Sequence, residues 1–295
     1  MKKLIFLGVA VLSISTSIFA AGNSCLGNSK INKSDVEKAL SPILGNAKVV
    51  SVSDAPIDGL YEVVIQTNGK KVPVYIDCSL KYLVNGEIID IKNKKSITRE
   101  RFMQLSQEAN QEKEKEFVKI LGDKKLQELK KAFPGILERA SIVDAKNIPQ
   151  TNIIFGNPQA KKVVYVVTDP QCPFCAKLHQ SITELLKERN DIAFKMIFYP
   201  LPFHKYAKAV SENVICSNDK SLLDKSFEAV LKNDEASLSK LAKTCNKANS
   251  TIEANIKYGQ ANGINGTPTI IFPNGLAISG AMSKDDLKKL IDIIF

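Results

Sequence analysis

The sequence is poor in the side chains that most often hold metal ions. It contains two histidines, His179 and His204, and one cysteine pair in Cys-X-X-Cys spacing, Cys172 and Cys175. A structural zinc site uses four ligands, often from two such pairs. A metal site formed by Cys172, Cys175 and His179 is conceivable. The shortage of ligands nevertheless argues against a metal site, and it favours ordinary surface or packing roles for both histidines.

A second long apolar run is also missing. The chain begins with two lysines, an apolar stretch over 4–11 and small residues around Ala20 and Ala21. This layout is typical of a cleavable secretory signal peptide, here residues 1–20. The stretch is too short, and too diluted by serine and threonine, for a membrane span. We therefore expect export to the periplasm and a soluble mature protein.

A basic stripe interleaved with aromatic residues is absent too. The formal net charge is +10, but the lysines are dispersed among acidic residues, so we expect no nucleic-acid partner. The charge is interpreted as an aid to solubility and weak steering. Six cysteines in an exported chain permit disulfides, which weakens the case for a metal further.

Residues 22–95 have the pattern of a small α+β domain. A short helix over 31–44 precedes β-branched runs, with the hairpin turn pairs Asn68-Gly69 and Asn85-Gly86 between them. Pro73 has no amide hydrogen for a ladder and predicts an edge strand. A sheet of this size buries little surface by itself. Self-association through an edge strand is the expected result.

Residues 96–140 predict a solvated linker helix. Glutamate, lysine and glutamine dominate, and the apolar stripe is narrow. The pattern is interrupted at Gly122-Asp123 and ends at Pro134-Gly135, both strong helix breakers.

Residues 141–295 predict a second domain of a different type. A continuous apolar strand is followed by a helix, a second strand, a helical block over 203–262, a strand hairpin and a terminal helix. This order predicts a thioredoxin-like catalytic domain with a helical insertion. The fold class is thus α/β with a smaller α+β domain before it.

The Cys-X-X-Cys pair lies where a helix should begin. Cys172 follows a buried strand, and Pro173 suits the first helical position because its missing amide hydrogen costs nothing there. Unpaired amides and the positive helix end favour a thiolate at Cys172. Cys175, one turn deeper, lacks that help. We therefore expect Cys172 to be the exposed nucleophile and Cys175 the resolving thiol.

The segment "GINGTPTIIF" supplies the second half of the predicted site. Thr267 and Pro268 precede a strand at the place where thioredoxin-like proteins carry a cis-proline loop facing the cysteines. The backbone of Thr267 would pair with an extended substrate segment as a short added strand. Cofactors other than the redox-active cysteine pair are not expected.

Taken with these motifs, the sequence resembles the periplasmic protein-disulfide isomerases of the DsbC/DsbG type. The matching segments are "VVYVVTDPQCPFC", "KMIFYPLP", "ICSNDKSLLDKSFEAVL", "TCNKANS" and "GINGTPTIIFPNG", with a weaker likeness across the N-terminal domain. The resemblance implies a V-shaped homodimer with a cystatin-like dimerisation domain. It also implies misfolded exported proteins as substrates and a membrane thiol reductase of the DsbD type as electron donor.

The other four cysteines allow three pairings. The resemblance implies a structural disulfide between Cys216 and Cys245 in the helical insertion. Cys25 and Cys78 would by remainder staple the N-terminal domain, which departs from the family; separate thiols or an intermolecular bond are the alternatives.

Three functions remain open at this point. Pro173-Phe174 between the cysteines, and threonine before Pro268, favour an isomerase or reductase over an oxidase. A dimeric thiol oxidase is the alternative. A holdase chaperone with an incidental cysteine pair is a remoter one.

Overall fold

The computed structural model describes residues 31–67 and 70–295. The expected signal peptide, Cys25 and the Asn68-Gly69 turn lie outside those residues. The described chain forms two compact units, the first ending at Glu112 and the second covering Lys113–Phe295. Within the described part, no helix is long and apolar enough to cross a membrane.

The first unit is an antiparallel sheet packed against one helix. Helix α1 (Lys33–Leu44) begins where the Asn32 side chain accepts a hydrogen bond from the Asp35 amide, which satisfies an otherwise unpaired amide. The strands follow in sequence order across the sheet: β1 (Lys48–Asp54), β2 (Leu60–Thr67), β3 (Lys70–Asp77) and β4 (Leu83–Val84). The buried side chains between helix and sheet are Val36, Leu40, Val49, Val63, Val74 and Ile76.

The expected hairpin at Asn85-Gly86 is wrong. Strand β4 pairs with β3, whereas the next strand, β5 (Ile89–Asp90), pairs with β6 (Lys95–Ser96). The asparagine–glycine pair therefore connects two separate ladders, because the turn in which the Asp77 carboxylate accepts from the amides of Ser79, Lys81 and Tyr82 returns β4 to β3.

The predicted edge position of β3 is also wrong. Strand β4 pairs along the outer side of β3 at Tyr75 and Ile76. Pro73 pairs with Val64 of β2 and lies beyond the stretch that β4 covers. The missing amide hydrogen is tolerated because only one side of β3 is paired there.

The linker segment forms two helices, α2 (Ile97–Leu121) and α3 (Asp123–Ala132). They meet at Gly122, whose φ of +77° favours glycine. The expectation of a solvated helix is wrong for the C-terminal part, because Phe117, Leu126 and Leu129 are fully buried in the core of the second unit. A narrow apolar stripe is enough to dock a helix on a preformed core.

The second unit is built on a mixed sheet with the order β7-β12-β11-β9-β10-β8. Strands β9 and β10 are parallel, and the other neighbours are antiparallel. The ranges are β7 (Ala140–Ile142), β8 (Ile154–Gly156), β9 (Lys162–Thr168), β10 (Ile192–Phe198), β11 (Thr269–Ile271) and β12 (Leu276–Ser279). The two edge strands, β7 and β8, are too short to leave a periodic signal in the sequence.

Helices complete the second unit. Helix α5 (Pro173–Glu188) connects β9 to β10, and α10 (Lys284–Ile294) begins at Ser283, whose hydroxyl accepts from the Asp286 amide. The remaining helices are α4 (Ile136–Arg139), α6 (Ala207–Ser217), α7 (Ser221–Leu231), α8 (Glu235–Leu241) and α9 (Asn249–Ala261). Since α6 to α9 lie between β10 and β11, the predicted thioredoxin-like fold with a helical insertion is confirmed.

Candidate active site

Cys172 is the N-cap residue of α5. Its backbone is extended, with φ −78° and ψ 123°, and Pro173 opens the helix. The chain reaches this point from β9 through a tight turn in which the Cys172 amide donates to the Asp169 carbonyl at 3.1 Å. The strand, the turn and the proline together place the Cys172 sulfur at the positive end of α5.

The expectation that Cys172 is exposed is wrong. Only 4% of Cys172 and 2% of Cys175 is accessible. The loop before β11 covers the thiol, and the Cys172 Sγ lies 3.5 Å from the Thr267 carbonyl oxygen. A helix N-terminus predicts the chemistry of a thiol but not the loop, distant in sequence, that folds over it.

The two cysteines have opposite acid–base character. The Cys175 thiol donates to the Cys172 sulfur, and the amides of Phe174 and Cys175 add to this, so the pKa of Cys172 falls to about 6 despite burial. Burial, and then the adjacent Cys172 sulfur, raise the pKa of Cys175 far above its ordinary value. At neutral pH the pair therefore holds one thiolate and one thiol.

The facing loop contains a cis peptide bond between Thr267 and Pro268. The Thr269 hydroxyl donates to the Gly266 carbonyl at 3.0 Å, and the Gly280 amide donates to the Pro268 carbonyl at 2.8 Å. These bonds fix the loop against β11 and β12. The Thr267 carbonyl is thereby held beside Cys172.

Asp169 is a site residue that the sequence reading missed. It is fully buried, and its carboxylate accepts from the Gln171 amide at 2.7 Å and the Leu201 amide at 2.7 Å. Its own amide donates to the Cys175 sulfur at 3.4 Å. The signal was present: a lone acidic residue directly follows an apolar strand, three positions before Cys172.

The loop after β10 is fastened to the same turn. The His204 Nδ1 atom lies 2.9 Å from Asp169 Oδ2. The Tyr206 amide donates to the Gln171 side-chain oxygen at 2.7 Å. The loop holds Phe203 at 75% exposure beside His204. Phe174, within the cysteine motif, is 59% exposed. Two aromatic side chains thus lie open on the segments that frame the thiols.

His179 does not join the cysteines. It is buried between Phe155 and Phe227, and its Nε2 lies 2.6 Å from the Asp224 carboxylate. The described residues include no cluster of three or more histidine, cysteine or acidic side chains arranged to hold a metal ion. The imidazole is engaged in packing α5 against α7.

The other cysteines that the structure describes are disulfide-bonded. Cys216 and Cys245 form a disulfide with an S–S distance of 2.01 Å. Cys78, just after β3, is disulfide-bonded. Because Cys25 lies outside the described residues, its pairing with Cys78 stays a prediction.

Two family models match the chain. One, described as a thioredoxin-like domain, matches residues 153–294, and the other, described as the disulfide bond isomerase protein N-terminal domain, matches residues 27–99. The chain thus combines two domain types, and the resemblance seen in the sequence is confirmed.

Curated relatives agree with these matches. The chain is 27% identical over 143 residues to the thiol:disulfide interchange protein DsbC of Dickeya dadantii, and 25% identical to that of Escherichia coli K12. The matched region is 48% of this chain and 54% and 55% of the two relatives. The match therefore spans about half the length of these relatives.

Solved structures with a similar chain path include a periplasmic thioredoxin-like protein from Salmonella enterica serovar Typhimurium, with a TM-score of 0.38 and 19% identity over 50% of this chain and 90% of that one. Another is Proteus mirabilis ScsC in a transitional conformation, with a TM-score of 0.41 and 20% identity. That match covers 65% of this chain and 93% of the ScsC chain.

Proposed function

We propose that this DsbC-type chain is a thiol:disulfide interchange enzyme of exported proteins, with Cys172 as nucleophile and Cys175 as resolving thiol. The observation that carries the proposal is the placement of the Cys172 sulfur at the start of α5, with the Cys175 thiol donating to it. This arrangement supports a thiolate at neutral pH, which is the attacking species in disulfide exchange.

The reaction begins when the Cys172 thiolate attacks one sulfur of a client disulfide. A Cys172–client bond forms, the client S–S bond breaks, and the second client sulfur leaves as a thiolate. If another client thiolate then attacks the mixed disulfide, Cys172 is regenerated and the client has been isomerised without net oxidation. If instead Cys175 loses its proton and attacks the Cys172 sulfur, the client leaves reduced and the pair becomes a disulfide.

Client binding is assigned to the groups that frame the thiols. The backbone of Thr267, next to Pro268, would hold an extended client segment as an added strand. The exposed rings of Phe174 and Phe203 support contact with apolar client side chains, which an unfolded protein exposes. A misfolded exported protein is therefore the proposed substrate class.

The direction of exchange is proposed to be isomerisation or reduction. Such activity requires the pair to be kept reduced, so the electron donor would be a membrane thiol reductase of the DsbD type acting in the periplasm.

The N-terminal domain, residues 22–95, is proposed to form a homodimer. The match to the isomerase N-terminal domain supports this. Apolar side chains are also exposed on the outermost strand of its sheet and directly before and after it, which is unusual for a surface that stays in water. They are Tyr82, Leu83, Val84, Ile89 and Ile91.

The proposal is tested by refolding a multi-disulfide protein that carries scrambled disulfides. Reduced wild-type enzyme should restore native activity, and Cys172→Ala should not. The double variant Cys216→Ala/Cys245→Ala, which leaves the site intact, is the control and should still act.

Other outcomes identify the alternatives. If the oxidised enzyme rapidly introduces disulfides into a reduced client while the reduced enzyme cannot isomerise, the protein is an oxidase. If Cys172→Ala protects cells and suppresses aggregation as well as the wild type, the protein is a holdase.

A further inference from the structure

A cavity of about 340 Å³ opens beside the nucleophile. Gln171 and Pro173, the residues on either side of Cys172, form one wall of it. The other wall comes from the helical insertion, at the end of α7 and the start of α8. Because the cavity includes the residues that flank the reacting cysteine, neighbouring side chains of a client bonded to Cys172 come within its reach.

The apolar part of the cavity is fixed in place. Ala229 and Leu238 line it, are each 4% exposed and belong to the core of the second unit. Two backbone bonds close the turn between α7 and α8: the Asp234 amide donates to the Ala229 carbonyl at 2.8 Å, and the Asn233 amide donates to the Val230 carbonyl at 3.1 Å. A preformed apolar wall can accept an aliphatic chain without first reorganising.

The charged part of the cavity is acidic. Asp234 and Glu235 line it, and among the described lining residues none has a basic side chain. Hydrogen bonds from the Ser237 hydroxyl and amide lower the pKa of Asp234, so this carboxylate is charged at neutral pH. The Tyr206 hydroxyl donates to Glu235 Oε1 at 3.0 Å, and the Tyr206 amide donates to Gln171. The acidic side of the cavity is thereby linked to the cysteine motif.

Two lysines near this acidic side leave it open to a further cation. The Lys205 Nζ atom lies 3.6 Å from Glu235 Oε1, and the two side chains are 71% and 70% exposed. An ion pair so exposed contributes little and exchanges readily. Lys240 of α8 also acts electrostatically on Asp234. Neither lysine lines the cavity, so the charged groups among its lining residues are the two carboxylates.

We propose that this cavity is a client subsite for a lysine or arginine side chain close to the client cysteine, with the aliphatic stem on Ala229 and Leu238 and the charge at Asp234 and Glu235. Lysine and arginine combine an apolar stem with a charged end, which matches this lining. The inference rests on the proposed function of Cys172 and extends it to a substrate class, disulfides with a basic residue nearby. The subsite speeds formation of the mixed disulfide and takes no part in the exchange of sulfurs.

The test measures how fast the reduced full-length protein reacts with synthetic peptides. Each peptide has one cysteine, bonded to thionitrobenzoate. The Cys172 thiolate attacks the peptide sulfur, the Cys172–peptide bond forms, and thionitrobenzoate leaves as a coloured thiolate that absorbance follows. Lysine, norleucine or diaminopropionate is placed in turn at each of the two positions on either side of the cysteine.

Lysine should react faster than either substitute at the position that reaches the cavity. Norleucine has the stem without the charge, and diaminopropionate has the charge without the stem. The advantage of lysine over norleucine should be about twofold to fivefold, the range that one partly exposed ion pair supports. It should shrink at high salt, because exposed charges are screened.

A double variant assigns the preference to the cavity. Asp234→Asn/Glu235→Gln removes both charges and should abolish the advantage of lysine over norleucine. Asparagine still caps α8 and glutamine still accepts from Tyr206, so the fold is retained. Glu184→Gln/Glu253→Gln removes two exposed carboxylates of the second unit outside the cavity. This control should keep the wild-type preference.

The proposal is overturned if lysine has no advantage at any position, if the advantage survives Asp234→Asn/Glu235→Gln, or if the control variant loses it equally. It is also overturned if diaminopropionate matches lysine, because charge alone would then suffice. Failure of the proposed function is a different result: the reduced wild type would react with every peptide no faster than free glutathione does.

Discussion

The second unit holds two cysteine pairs whose surroundings give them opposite chemistry. Cys172 caps the N-terminus of α5, where amides are unpaired, and it is buried and reduced. Cys216 lies near the C-terminus of α6, where carbonyls are unpaired; it is exposed and bonded to Cys245. The helix end, rather than exposure, distinguishes the thiol that can be activated from the one that serves as a staple.

Sequence separation adds a second difference. Three positions separate Cys172 from Cys175, so a bond between them restricts the unfolded chain little. The Cys216–Cys245 separation is 29, and closing a loop of that size removes substantial unfolded-state entropy. The first pair can therefore open and close at small cost, whereas the second stabilises the helical insertion.

The largest expected effect breaks the cooperation within the reactive pair. Cys175→Ala removes the resolving thiol, so mixed disulfides between Cys172 and clients should persist about a hundredfold longer or more, because an intramolecular attack is lost. Non-reducing gels and mass spectrometry measure the adducts. Cys216→Ala/Cys245→Ala, as the matched control, should not accumulate them. Adducts that decay at the wild-type rate would show that Cys175 does not resolve them.

The second effect removes the structural pair. Cys216→Ala/Cys245→Ala should lower the free energy of unfolding by about 2–4 kcal/mol, through the greater entropy of the unfolded chain. Urea unfolding measures the loss. The alkylation midpoint of Cys172 should stay within about 0.3 units of the wild type. A shift in that midpoint instead of a loss of stability would reverse the assignment of the two pairs.

A smaller effect links the pKa of Cys172 to stability. Because the folded-state pKa is depressed to about 6, the thiolate stabilises the reduced fold fully above the unfolded-state pKa. That stability is lost as pH falls through 6. Between pH 7 and pH 5 the reduced wild type should lose about 1 kcal/mol or less relative to Cys172→Ser, allowing for solvent screening.

Parallel urea titrations of the two proteins give this difference. Cys216→Ala/Cys245→Ala should show the same pH trend as the wild type, since its Cys172 is intact. If the reduced wild type instead gained stability relative to Cys172→Ser as the pH falls, the lowered pKa of Cys172 would be contradicted.

An effect of similar size concerns client contact. Phe203→Ser should weaken binding of an unfolded, cysteine-free client about threefold to tenfold, because one exposed aromatic contact is lost. Fluorescence anisotropy of a labelled client measures the affinity. Ile43→Ser, an exposed apolar residue of α1 in the first unit, is the control. Equal losses for both variants would mean that binding is not localised at the thiols.

The sequence predicts those parts of the site that are local in the chain. Strand β9, the start of α5 at Pro173 and the Ser283 cap of α10 each follow from a few adjacent residues. The helical insertion follows from a long periodic pattern. The thioredoxin-like fold was therefore within reach of sequence reasoning.

What the sequence leaves open depends on contacts between distant segments. The burial of Cys172 is set by Thr267, 95 positions later. The role of Asp169 depends on Leu201 and His204, which lie in the loop after β10. Neither that loop nor the turn that holds Asp169 carries a periodic signal in the sequence. The short strands β7 and β8 acquire their structure only from the sheet that they extend.

One measurement tests the central contrast directly: the pH dependence of alkylation at each free thiol of the reduced protein, followed residue by residue. Cys172 should react with a midpoint of about 6, while Cys175 should stay unmodified through pH 9, because burial keeps it protonated. If both thiols instead react with the ordinary midpoint near 9, Cys172 is not activated, and the distinction between a reactive and a structural pair fails.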